Sequence, residues 1–197
     1  MVFMMWEWDN VYTRGLALVI FVTAALTDLY DGRLARRYGQ TTTFGKFMDP
    51  LADKLIISAA LVSFVQLDEI HVPAWMVVFI ISREFLITGL RSVAASRGVV
   101  IPAGPEGKFK TTSQITTIIT TLVILIINSA VADAVSPDMH SREVAGYLIR
   151  NYTDWHRVVG FSLRLVPYGM VFLTMLLTLY SGVSYIRQHL ALIRDEL

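Results

Sequence analysis

Cysteine is absent from the 197-residue chain. That excludes a disulfide framework, a thiol nucleophile and a thiolate metal site, and leaves the compartment open. Charge is scarce too: Asp, Glu, Lys and Arg make up 17% of the residues, against about 25% in an ordinary soluble domain. The net charge of +1 gives no general affinity for polyanions, so no nucleic-acid partner is expected. No basic stretch precedes the apolar residues of "MVFMMWEWDNVYTRG", and no cleavable secretory signal is read there. Internal repeats and low-complexity tracts are also missing.

What is present is apolar surface, gathered into blocks: 54% of the residues are hydrophobic and the mean hydropathy is +0.55. The first block runs from about Leu16 to Leu26 and continues as a polar helix. The others are "LADKLIISAALVSFVQL", "PAWMVVFIISREFLITGLRSVAAS", "SQITTIITTLVILIINSAVADAV" and "LVPYGMVFLTMLLTLYSGVSYI". With flanks, each approaches the roughly 20 residues that cross about 30 Å of hydrocarbon. The runs are continuous rather than alternating, and too long for barrel strands. The expected fold is therefore all-α: a polytopic membrane helix bundle of about five transmembrane helices, forming one domain over residues 1–197.

Breakers separate the blocks. Pro73 opens the third helix, "GVVIPAGPEG" divides the third from the fourth, and Pro137 follows the fourth. Residues from about 131 to 160 read as a polar extramembrane insert, in which "SREVAGYLIRNY" predicts a short amphipathic helix with Ser141 as its cap. Arg33, Arg36, Arg37, Lys46, Arg97, Lys108, Lys110, Arg187 and Arg194 fall on one side of a five-helix threading. Arg14, Arg142, Arg150 and Arg157 fall on the other. The positive-inside rule puts the richer side, with the C-terminus, in the cytoplasm and the N-terminus outside.

The costly feature is "DLYDGRLARRYGQTTTFGKFMDPLADK", residues 28–54, which sets four aspartates beside membrane-length apolar runs. At about 100° per residue, Asp28, Asp31, Gly32 and Ala35 share one helix face. Asp49 and Asp53, four apart, share a face of the next helix. If the two helices pack antiparallel, four carboxylates converge, and like charges so placed need a counter-ion. Carboxylate oxygens suit a hard divalent cation such as Mg²⁺, Mn²⁺ or Ca²⁺. Gly32 and Ala35 leave a shallow trough beside it, and Arg36 offers a fork of donors to phosphate. The pattern reads as a metal–diphosphate site at a membrane surface. Pro50, inside the second pair, is tolerable in a first turn or where neighbours satisfy the freed carbonyl.

These residues resemble the signature of the CDP-alcohol phosphotransferases, D-x2-D-G-x2-A-R-x8-G-x3-D-x3-D. It is filled here by Asp28, Asp31, Gly32, Ala35, Arg36, Gly45, Asp49 and Asp53. "FGKFMDPLADK", "SREFLITGLRSVAASRGVVI" and "GKFKTTSQ" are similar to the subgroup that makes phosphatidylglycerol phosphate, over about residues 15–130. The resemblance implies Mg²⁺- or Mn²⁺-dependent transfer of a phosphatidyl group from CDP-diacylglycerol to glycerol 3-phosphate, releasing CMP. It implies that Asp28, Asp31, Asp49 and Asp53 bind metal, and that Asp53 is the general base. Asp28, Gly32, Ala35 and Arg36 would hold the CDP moiety. It further implies a multi-pass protein of the bacterial cytoplasmic membrane, in contact with membrane lipids, with its active site facing the cytoplasm and commonly a homodimer. Family members have six membrane helices, so this chain is expected to lack an N-terminal one. Other acceptors within the family (inositol phosphate or serine), a prenyltransferase and a non-catalytic cation carrier or scaffold are the alternatives.

A phosphorylated acceptor calls for fixed cations. Arg83 and Arg91, eight apart and about 80° around the third helix, are candidates, with Lys108 and Lys110 in the loop that begins the fourth. Arg83 is the sharpest, because an Arg–Glu pair inside an apolar run is a functional hypothesis by default. Its alternative is a structural pair with Glu84 or with the aspartates. For Lys110 the alternative is a lipid-headgroup contact, and Glu84 is expected to buttress another helix. His71, His140 and His156 read as surface residues. Trp6, Trp8, Trp75 and Trp155 fit interfacial belts. "TTSQITTIITT" reads as a stretch that packs helices through small polar contacts.

Overall fold

The computed structural model describes residues 10–38, 43–96, 105–135, 141–151 and 154–196. These form an all-α membrane helix bundle of six helices: α1 (Val11–Tyr38), α2 (Thr43–Val65), α3 (Ala74–Ser96), α4 (Pro105–Val135), α5 (Ser141–Asn151) and α6 (Asp154–Glu196). Local chemistry marks several of the starts. Asn10 Oδ1 accepts from the Thr13 amide at 2.9 Å and caps α1. The carbonyl of Pro73 accepts from Met76 N at 3.1 Å as α3 begins. Pro105 occupies the first position of α4, where its missing N–H costs nothing. Hence α4 starts ahead of its apolar block and takes in "GKFKTTSQ", so Lys108 and Lys110 are helical rather than in a loop.

Among the described residues, two helices are long and apolar enough to cross a bilayer: Phe109–Ala134 within α4 and Val159–Gln188 within α6. The other helices depart from that standard for visible reasons. In α1 and α2 the apolar runs, Val11–Thr27 and Lys54–Val65, are shortened by the charged stretch between them. Helix α3 carries Arg83, Glu84 and Arg91. At 43 residues and about 1.5 Å per residue, α6 extends about 64 Å, well beyond its apolar segment at both ends.

One core joins five helices. Ala17 and Phe21 of α1 meet Leu61 and Phe64 of α2, Met76 and Ile80 of α3, Ile118, Leu122 and Leu125 of α4, and Val171 and Met175 of α6. Leu67, Ile70 and Val72, from the α2–α3 connection, close the same cluster. This packing occupies the first half of α1 and the second half of α2. The helix ends that bear the 28–54 charges are therefore at the opposite end of the bundle.

The predicted amphipathic helix within 141–152 is present as α5. Its apolar face meets α4 and α6 through Ala132, Leu148 and Leu163. Gly160 makes the α5–α6 crossing close: a Cβ there would fall 2.8 Å from the Ala145 carbonyl oxygen and 3.0 Å from Ile149 Cγ1. Gly160→Ala would gain about 1 kcal/mol of helix propensity. It would lose about 1–3 kcal/mol to overpacking against backbone that cannot rotate away. The melting midpoint in detergent is therefore expected to fall; a rise would show that α5 separates from α6 without penalty.

Candidate active site

Helix α1 continues unbroken through Asp28, Asp31, Gly32, Ala35 and Arg36 to Tyr38. Helix α2 carries Gly45, Asp49 and Asp53, and runs through Pro50. The two aspartate pairs are thus borne by consecutive helices, with their spacings of three and four operating on helical backbone. The side chains of these residues, and that of Lys108, lie outside the described residues.

The neighbouring charges are described in detail. Glu84 of α3 points to α4, where its carboxylate is ion-paired with Lys110 and accepts from Gln114 Nε2 at 3.1 Å. Lys110 is buried, at 7% exposure, so it is not a free headgroup ligand; Glu84 neutralises it and buttresses α4, as the sequence suggested. Arg83 turns the other way. Its Nη2 donates to Ser181 Oγ of α6 at 2.9 Å, while Nη1 keeps only a 3.8 Å approach to Glu84. Arg83 Nε is buried with no hydrogen-bond partner among the described residues. Arg91 is exposed, so the structure brings Arg83, Glu84 and Lys110 together and leaves Arg91 at the surface.

Hydroxyls line the seam behind this cluster. Thr174 Oγ1 lies 2.9 Å from Ser113 Oγ and 2.7 Å from Thr117 Oγ1, so the Thr-rich start of α4 does pack helices through small polar contacts. Gln114 and Ser181 are the partners that sequence reasoning missed. A signal for the second exists: Thr174, Thr178, Ser181 and Tyr185 recur at helical spacing along one stripe of an otherwise apolar helix.

A second buried ion pair secures the far end. Arg14 Nη1 donates to Glu69 Oε2 at 3.0 Å and to the Leu125 carbonyl at 2.7 Å, and Nη2 pairs with Glu69 Oε1. Read from sequence as an outward flank, Arg14 is instead 2% exposed.

The molecule is thus a membrane helix bundle with two aspartate pairs on consecutive helices and a largely buried Arg–Glu–Lys cluster on α3 and α4. The sequence model of the CDP-alcohol phosphatidyltransferase family matches residues 1–137, and the chain belongs to that family. It is 55% identical over 97 residues to a CDP-diacylglycerol–glycerol-3-phosphate 3-phosphatidyltransferase of Bacillus subtilis (strain 168), covering 49% of each chain. It is 48% identical over 101 residues to a probable phosphatidylglycerophosphate synthase of Mycobacterium tuberculosis (strain CDC 1551 / Oshkosh), covering 51% of this chain and 47% of that one. A 3-phosphatidyltransferase named like the first, from Rickettsia felis (strain ATCC VR-1525 / URRWXCal2), is 38% identical over 107 residues, 54% of this chain and 58% of its own. The chain spans about half the length of the curated relatives it matches. The family match ends before α5 and α6.

Proposed function

We propose that the protein transfers a phosphatidyl group from CDP-diacylglycerol to sn-glycerol 3-phosphate, giving phosphatidylglycerol phosphate and CMP. The observation that carries this reading is the complete signature, Asp28 to Asp53, borne by α1 and α2. Relatives named for that reaction support the choice of acceptor.

The donor set fits a hard cation: two carboxylates on each of two consecutive helices, with no cysteine in the chain. Asp28, Asp31 and Asp49, with Asp53 close beside them, would hold Mg²⁺ or Mn²⁺, which when bound neutralises diphosphate charge. The remaining work belongs to the chain. Gly32 and Ala35 admit the nucleotide beside Asp28, and Arg36 donates to its diphosphate. The acceptor hydroxyl oxygen bonds to the phosphatidyl phosphorus as the bond from that phosphorus to the CMP oxygen breaks. Asp53 takes the hydroxyl proton. Most of the rate comes from holding the two substrates in line. The enzyme would act as a multi-pass homodimer of the bacterial cytoplasmic membrane, with the site facing the cytoplasm.

Arg83, Arg91, Lys108 and Lys110 are the cations available to the acceptor phosphate. With Lys110 paired to Glu84, Arg83 has the strongest claim. Arg83→Ala removes a charge-assisted contact worth about 1.5–3 kcal/mol and is expected to raise the acceptor KM about 10- to 150-fold. Competition assays complete the test. Unlabelled glycerol 3-phosphate should suppress labelled product, whereas inositol phosphate and serine should not. Preference for a phosphate-free alcohol, with an unchanged KM in Arg83→Ala, would move the acceptor site elsewhere.

A further inference from the structure

Arg83 does not choose its direction alone; α6 sets it. A Cβ built on Gly182 would stand 2.9 Å from Arg83 Cγ and 3.0 Å from Nε, so the arginine stem lies directly on the α6 backbone. Any side chain at 182 would lift it off. Ser181, the adjoining residue, accepts from Nη2 at 2.9 Å and fixes the end of the guanidinium. Ile87 and Tyr185 pack together one turn further along the same α3–α6 contact, with Leu90, Ala94 and Ile186 around them, and hold the helices at this approach. With stem and Nη2 committed, Arg83 keeps its buried Nε without a hydrogen-bond partner among the described residues. A planar fork held along one edge presents the rest of its donors in a fixed direction.

We propose that Ser181 and Gly182 are positioning residues for the acceptor phosphate: they act through Arg83, aiming its guanidinium, although α6 lies outside the stretch that matches the family. The inference rests on Arg83 as an acceptor-phosphate group, so its test must separate the two ideas.

Steady-state kinetics of the full chain in detergent micelles, with CDP-diacylglycerol saturating and glycerol 3-phosphate varied, make the separation. Ser181→Ala is expected to raise the acceptor KM about fivefold and Gly182→Ala about tenfold, with kcat within about twofold of wild type. Ser181→Thr, which keeps the hydroxyl, should restore the KM. In an Arg83→Ala background neither change should add anything, because the group being aimed is gone. The inference is overturned if Arg83→Ala raises the KM but Ser181→Ala and Gly182→Ala do not. It is equally overturned if their effects persist in the Arg83→Ala background or appear as loss of kcat, the pattern of helix packing alone. An Arg83→Ala enzyme with wild-type KM would overturn the acceptor reading and the inference together. A melting curve on each variant confirms that folded protein is compared.

Discussion

Asp53→Asn is expected to lower turnover by about 10²–10⁴-fold while CDP-diacylglycerol binding stays close to wild type. The amide keeps the size and one oxygen of the carboxylate but cannot accept a proton from the attacking hydroxyl. If the base were absent, the alkoxide would have to form unaided, so the loss falls on the chemical step. Asp49, four residues earlier on α2, provides the comparison, since its proposed role is to hold metal. Asp49→Asn should weaken nucleotide binding and rate together, because the cation that neutralises the diphosphate is then held by fewer carboxylates. Equilibrium binding of labelled CDP-diacylglycerol beside single-turnover rates separates the two. Parallel loss of binding and rate in Asp53→Asn would make Asp53 chiefly a metal ligand and remove it as the base.

At the other end of the bundle, Arg14→Ala or Glu69→Ala is expected to destabilise the protein by about 3–5 kcal/mol. Arg14 and Glu69 are 2% and 6% exposed, and the pair ties α1 to the α2–α3 connection and, through the Leu125 carbonyl, to α4. Removing one partner strands the other charge in an apolar interior; removing both does not. The double variant Arg14→Leu/Glu69→Leu should therefore recover most of the loss. Thermal melting in detergent reads the difference. Single variants that melt like wild type would show that the pair is not buried in the folded protein. Because the pair sits far from α1's C-terminal half, kcat below the melting transition should hardly change.

How far the sequence could be read depended on whether a feature was local. The continuation of α1 through "DLYDGRLARRY" and the short α5 follow from periodicity and a start signal, and both are present. The early start of α4 was legible in Pro105, but a polar first turn drew the boundary towards the apolar block. Partner choice was less accessible. Glu84 could be expected to reach another helix, since neighbouring residues on a helix diverge. That its partners are Lys110 and Gln114 depends on how α3 and α4 pack, which no local pattern records. Arg14 counts as one more basic flank in a charge tally. Its burial comes from Glu69, in the α2–α3 connection, and from the Leu125 carbonyl of α4, both brought to it by tertiary packing. Ser181 is similar, a hydroxyl in an apolar helix whose significance rests on Arg83 lying across it.

The central claim is phosphatidyl transfer to glycerol 3-phosphate at the Asp28–Asp53 signature. Its most direct test is incubation of membranes carrying the protein with CDP-diacylglycerol, labelled glycerol 3-phosphate and Mg²⁺, following lipid-soluble label and free CMP together. Labelled phosphatidylglycerol phosphate and CMP are expected in equal amounts, both lost when Mg²⁺ is chelated. CMP release without labelled lipid, or no release from protein that binds CDP-diacylglycerol and metal, would contradict it.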